Sequence, residues 1–304
     1  MKSKIEIHCI KLTGIALALS IFSVPLVQAS TIWGNNASSG NVNLEAFDST
    51  TGLLIPGEQF LVPNLIARND NGRGVAVSGN TIYYTTANSG NIYVTNTVTH
   101  ADLGILVNTG FSGIANVSTD GKFIYANNYL SNSGIINKYN FDGSSAGTVT
   151  VGAGFSGRDG FEVQNNSNLD GGATTFISNR GDAQGPYDVY KSDGSLLISN
   201  FIDPSKDGGI SVTGIAYDGL NYFVSDVFKN RLLEYSGTGS FLMAIDLSNN
   251  PNPFTSRLLE DLSAVGNTID NPPPNSVPIP AALPLMSSAL GLFGLGALRR
   301  RNKA

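Results

Sequence analysis

The chain of 304 residues holds one cysteine and two histidines. Cys9 and His8 both lie in an N-terminal stretch that reads as a cleavable leader. Without that stretch there is no thiol to form a disulfide, attack a substrate or bind zinc as thiolate. His100 is then the only imidazole, which excludes a His-dyad lyase and a three-histidine metal site. A Ser-His-Asp triad would have to use His100, and no Gly-x-Ser-x-Gly elbow accompanies it. A single histidine near a loop reads as a solvated surface residue. Charge is also scarce, at 13% of the chain. Residues 30 to 276 carry 11 Lys and Arg against 22 Asp and Glu, a formal charge of −11, while the whole chain carries −5. The basic residues therefore gather at the two ends. An acidic body repels nucleic acid and anionic lipid, which argues against both as partners. A long amphipathic helix is missing too, from Thr31 to Asp270.

Short runs rich in Val, Ile, Tyr and Phe recur between Gly, Asn and Asp clusters, the pattern of many short strands. The runs repeat. Gly74-Val75-Ala76 leads through Ser78-Gly79-Asn80 into Thr81 to Asn88. Gly113-Ile114-Ala115 leads through Asp120-Gly121 into Phe123 to Asn127, and Gly214-Ile215-Ala216 through Asp218-Gly219 into Asn221 to Asp226. A divergent copy runs from Gly160-Phe161-Glu162 to Thr175 through Asn179, after an insertion around Asn165 to Gly172. Third and fourth strands follow, as in Arg231 to Tyr235 and Phe241 to Leu247. Four strands per 40 to 50 residues is the repeat of a β-propeller blade.

The ends of this body complement each other. Thr31–Asn35, Asn41–Asp48 and Leu53–Leu61 read as strands two to four of a blade lacking its first strand. Leu259 to Val265 reads as a first strand lacking its blade. Joining them closes the ring and leaves no open sheet edge. The expected fold is thus an all-β propeller spanning residues 30–267, with five blades. A sixth follows if the stretch 160–213 holds an extra sheet. The wording of residues 113 to 127 is similar to the YVTN and NHL-like propeller families.

The ends of the chain carry delivery signals. Lys2, Lys4 and Lys11 precede an apolar run from Leu12 to Val27, and Val27-Gln28-Ala29 supplies small residues for cleavage between Ala29 and Ser30. Residues 1–29 therefore read as a signal peptide. Residues 268–276 form a Pro-rich, extended linker. Residues 277–304 contain the motif Val277-Pro278-Ile279-Pro280, an apolar segment 281–298 and the basic cluster Arg299, Arg300, Arg301. Eighteen apolar residues reach the lower limit for a membrane-spanning helix, and the arginines belong on the cytoplasmic side. This tail resembles the PEP-CTERM sorting signal in its VPLPA-type variant, with Ile279 where the variant usually has Leu. The resemblance implies processing by an exosortase in a Gram-negative cell. It also implies an inner-membrane-anchored precursor, display at the cell surface or release, and association with exopolysaccharide or biofilm. A plain C-terminal membrane anchor is the alternative.

Chemistry has few candidates, and no catalytic residue is assigned. Asn88, Asn127, Asn179 and Asp226 fall at matching ends of second strands, and Glu162 replaces a small residue of the other first strands. Those oxygens would suit calcium in a lactonase- or esterase-type propeller hydrolase. The competing reading is that Asn and Asp recur there as turn residues. Arg158 with Asp159, or Arg180 with Asp182, would make local ion pairs. Asp-Gly pairs at 120, 142, 193 and 218 read as hairpin turns. Tyr129, Tyr187 and Phe228 are expected as loop aromatics able to stack on sugars. The expected function is a non-enzymatic binding or structural module without a resident cofactor, whose partners are an exosortase-type enzyme and polysaccharide or surface proteins.

Overall fold

The computed structural model describes residues 29–37, 44–62, 71–128, 134–152, 158–181, 185–250 and 258–265. Strands β1 (Thr31–Asn36), β2 (Leu44–Asp48) and β3 (Leu54–Phe60) come first. Then follow β4 (Gly72–Ser78), β5 (Thr81–Thr86), β6 (Asn91–Asn96) and β7 (Asp102–Asn108). The third group is β8 (Ile114–Thr119), β9 (Ile124–Asn128), β10 (Ile135–Tyr139) and β11 (Ser145–Thr150). The fourth is β12 (Phe161–Gln164), β13 (Thr175–Asn179), β14 (Tyr187–Lys191) and β15 (Leu196–Ile202). The last is β16 (Val212–Tyr217), β17 (Asn221–Asp226), β18 (Arg231–Ser236) and β19 (Phe241–Asp246), with β20 (Leu259–Ala264) at the end.

These strands make five antiparallel four-stranded sheets. Blade 1 is ordered β20-β1-β2-β3, and blades 2 to 5 take β4–β7, β8–β11, β12–β15 and β16–β19. The expected closure holds: Ile32 pairs with Ala264 and Trp33 with Ser263, so the last strand completes the first blade. The stretch 160–213 contains β12–β15, the short 3₁₀ turns Asn168–Asp170 and Pro204–Asp207, and the start of β16. Among its described residues it builds no extra sheet, and the ring has five blades. The proposed insertion is the β12–β13 connection. Residues 1–28 and 266–304 lie outside the described residues, and with them the expected leader except Ala29, the expected linker, and the expected segment 281–298 with its flanking motifs. Among the described residues no helix is long and apolar enough to cross a membrane.

Burial grades outward along each sheet. Inner strands such as β8 and β13 are buried throughout, whereas the outer strands β7 and β19 are mostly exposed. Both faces of an inner strand meet a neighbouring blade, which is why Ile82-Tyr83-Tyr84 is a continuous apolar run instead of an alternation. The core is accordingly divided among five seams. Trp33, Leu44 and Phe60 of blade 1 pack on Val75 and Tyr84 of blade 2. Ile177 and Tyr187 of blade 4 pack on Ile215 and Tyr222 of blade 5. At the axis, first strands contact one another in the order β20, β4, β8, β12, β16 and back to β20. Gly214 makes that approach close: a Cβ there would lie 2.5 Å from the Asp261 Cα.

A second ring of contacts runs around the rim. In four blades a left-handed glycine in the turn before the outer strand leans on the preceding blade. Gly52, Gly143, Gly194 and Gly239 have φ of +68°, +83°, +86° and +81°. Each sits against a backbone carbonyl of the neighbouring outer strand or its end: Asp246, Leu106, Thr150 and Phe201. In blade 2 the corresponding residue is His100, with φ +55°. Its ring stacks on Phe60 of blade 1 at 4.0 Å between centroids.

Candidate functional site

The first strands surround the axis with side chains that bond across blades. Asp261 of β20 accepts through Oδ2 from Val75 N of blade 2 at 2.9 Å and Val117 N of blade 3 at 3.4 Å. Ser263 Oγ accepts from Val77 N at 3.0 Å. Ser118 Oγ donates to Glu162 Oε2 at 2.8 Å and accepts from Val163 N at 3.1 Å, joining blades 3 and 4. Tyr222 OH donates to Gln164 Oε1 at 2.8 Å, joining blades 4 and 5. Burial pushes the Asp261 carboxyl well above the usual carboxylate range, and the nearby Glu162 charge adds to the rise. The backbone N–H groups of Val75 and Leu262 and the Asn116 side chain, which bond the charged form, offset only part of that rise.

The amides at the second-strand ends face similar duties. Asn127 Nδ2 donates to Arg158 O at 2.7 Å, across the seam to blade 4. Asn35 does the same from blade 1, donating to Gly74 O at 2.8 Å. Asn179 Nδ2 donates to Asp159 Oδ1 at 2.5 Å, within its own blade's leading segment. Asp226 accepts from Ile210 N and Ser211 N and pairs with Arg231 at 2.9 Å. Asn88 is not equivalent to these residues. It lies two positions beyond β5, and Thr85 Oγ1 makes the blade-to-blade bond there, donating to Ile114 O at 3.1 Å. So Asn127 and Asn179 converge on residues 158–159, while Glu162 and Asp226 are engaged elsewhere. Among the described residues no group of three or more His, Cys, Asp and Glu is arranged to hold a metal ion.

Other expectations resolve individually. The Arg158 guanidinium is buried and donates to Ser178 Oγ and to the Asn179 and Gly152 carbonyls. Asp159 accepts from Asn179 Nδ2. Arg180 pairs with Asp188 through two bonds of 2.7 Å, and Asp182 lies outside the described residues. The four Asp-Gly pairs do form turns, each Asp Oδ1 accepting a backbone N–H two residues on. Tyr187 is a correction: it is buried, with its hydroxyl donating to Thr213 O, because it opens a strand packed between two blades. Phe228 is exposed as expected, at 73%. Tyr129 lies outside the described residues. His100 is half-buried against Phe60, with Glu58 Oε2 at 3.7 Å, so its surroundings are those of a rim contact.

Sequence reading missed Asp261, Ser118 and Gln164 as hub residues. The signal was present: Asp261, like Glu162, is a carboxylate inside a first strand. It also missed a cleft of about 200 Å³ at the seam of blades 3 and 4, lined by Lys122, Phe123, Lys138 and Asn165 among others. Lys138 and Asn165 sit far apart in sequence with no motif linking them.

The fold and its hub define a five-bladed β-propeller whose axial polar groups are largely joined to one another. No family model matches the chain, and no curated protein does either. Among solved structures the chain is similar to one in the crystal structure of a nidogen/laminin complex. That match has 10% identity and a TM-score of 0.52, and covers 79% of this chain and 99% of that one. It is also aligned with a protein of unknown function from Bacteroides caccae, at 10% identity and a TM-score of 0.44 over 78% of this chain and 99% of that one. At such identity the first likeness speaks for the propeller fold.

Proposed function

We propose that the chain is an exported propeller acting as a binding or structural module at the cell surface or in an extracellular polysaccharide matrix. Its C-terminal signal would be recognised by an exosortase-type enzyme after transient insertion in the inner membrane. One structural observation supports a module over a catalyst. The hub carboxylates and amides on which a channel enzyme would rely are bonded blade to blade, as Asp261 is to Val75 and Val117. Recognition then falls to the seams and loops, where propellers tolerate variation. The order of delivery signals in the sequence supports the location.

The test is fractionation of cells with and without substitution of Arg299, Arg300 and Arg301, with mass determination of the exported form. Export with loss of the tail mass is the expected result for the intact signal, and retention of a full-length inner-membrane form would overturn processing. Millimolar calcium is expected to leave the melting temperature unchanged. A calcium-dependent rise that vanishes in Glu162→Gln would instead favour the hydrolase.

A further inference from the structure

We infer that the cleft between blades 3 and 4 is a binding site for an acidic saccharide, its carboxylates taken by Lys138 and Lys122. This ligand class rests on the reading of the protein as a matrix module, but the cleft's chemistry is independent of it. Its volume of about 200 Å³ is smaller than that of most drug-sized ligand sites and suits a single sugar ring. Its base is rigid and apolar: Phe176 is buried, and Tyr125 meets it edge-on at 5.6 Å between centroids. Two walls are braced. One is the Asn165–Thr174 connection of blade 4, far longer than the tight turns between first and second strands in blades 2, 3 and 5. The other includes the turn at Ser192, held against β11 by the contact of Gly194 with the Thr150 carbonyl.

Charge singles the cleft out on an acidic body. Lys138 Nζ lies 3.5 Å from the Phe123 ring centroid, which holds the ammonium at the cleft by cation–π attraction. Neither Lys138 nor Lys122 is in an ion pair with a carboxylate among the described residues. The one acid in the lining, Asp120, is already occupied. It accepts from Lys122 N at 2.9 Å, Phe123 N at 2.8 Å and Tyr125 OH at 2.8 Å. Burial raises the Tyr125 phenol, with Asp120 adding to the rise, so the hydroxyl stays a donor to that carboxylate. The remaining lining offers neutral polar groups (Asn165, Thr174, Ser192) and the apolar side chain of Val149. A pyranose bearing a carboxylate presents the same combination of hydroxyls, an apolar C–H face and one charge. Lysine suits it, because a compact ammonium binds a carboxylate without demanding the planar two-point geometry of arginine.

The experiment is calorimetric titration of the purified full chain with oligogalacturonate and with a neutral oligosaccharide of equal length. Variants Lys138→Gln, Lys122→Gln and, on a different blade, Lys229→Gln are compared. The acidic oligosaccharide is expected to bind at least about tenfold more tightly than the neutral one, and each of the first two substitutions to weaken it about tenfold. Lys229→Gln should leave binding unchanged. Lys122 is exposed, so its loss of binding would not come from unfolding, and melting curves check Lys138→Gln. Absent binding, or binding untouched by either cleft substitution, overturns the site. Equal displacement by inorganic polyphosphate overturns the saccharide assignment. Retention of the wild type and of Lys138→Gln alike on the producing cells' matrix would sink this site while leaving the proposed function standing; no retention of either would remove both.

Discussion

His100 occupies a turn position that four other blades fill with glycine, and that explains its left-handed backbone better than any chemistry. A left-handed conformation is strained for a side chain with a Cβ. Stacking on Phe60 is a compensation of about 0.5–1.5 kcal/mol for aromatic pairs. The glycines face a second restriction, since a Cβ would press on the neighbouring blade. Gly194→Ala and Gly57→Ala separate the two effects. Both residues have positive φ, +86° and +87°. A Cβ at Gly57 would meet nothing within 4 Å, whereas at Gly194 it would collide with the Thr150 carbonyl. Gly57→Ala is expected to cost about 1 kcal/mol from the backbone alone. Gly194→Ala should add a further 1–3 kcal/mol, roughly, from overpacking. Urea unfolding of the two variants measures the difference, and equal losses would contradict the rim contact.

At the scale of elements, each second strand ends in a group that fastens the blade. Asn35, Thr85 and Asn127 reach the next blade's backbone, while Asn179 and Asp226 anchor the segments leading into their own first strands. The recurrence of Asn and Asp was legible in the repeats, but its cause was not. A strand-end amide can cap a turn, bind a cation or cross a seam, and only the position of the neighbouring blade chooses among them. Asn127→Ala leaves the Arg158 carbonyl and the Asn116 N–H without their partner. Loss of buried bonds of this kind costs about 1–3 kcal/mol. Thermal melts should show the loss. A neutral result would mean that Asn127 is dispensable at the seam and revive a ligand role for it.

The whole molecule is a ring, and Asp261 ties three of its blades. In the unfolded chain its carboxyl titrates near the ordinary value, while in the hub burial raises it. Between those two values the folded state binds more protons than the unfolded one. Stability from this group is therefore full at low pH and declines as pH rises through its folded pKa. Asp261→Asn keeps an acceptor for Val75 and Val117 and removes the titration. Stability measured by urea unfolding across mildly acidic to neutral pH should thus fall less steeply in the variant. A slope as steep as wild type would show that the charge is tolerated in the hub. Some slope will remain, because burial also raises Glu260, which Arg73 only partly offsets.

Hydrophobic pattern and turn chemistry, both local, determined the strands, the four-strand repeat and the Asp-Gly turns. They also determined the complementary ends that close blade 1, because a lone first strand must find its sheet. Local pattern equally carries the proposed delivery signals, whose meaning would lie in order and length. The tertiary structure alone decided which polar residues meet. Asp261, Val75 and Val117 lie on three blades, and Lys138, Phe123 and Asn165 come together across a seam. Such meetings depend on how many blades close the ring and how tightly glycines let them approach. Those distances are properties of the closed ring, and no stretch of chain carries them by itself.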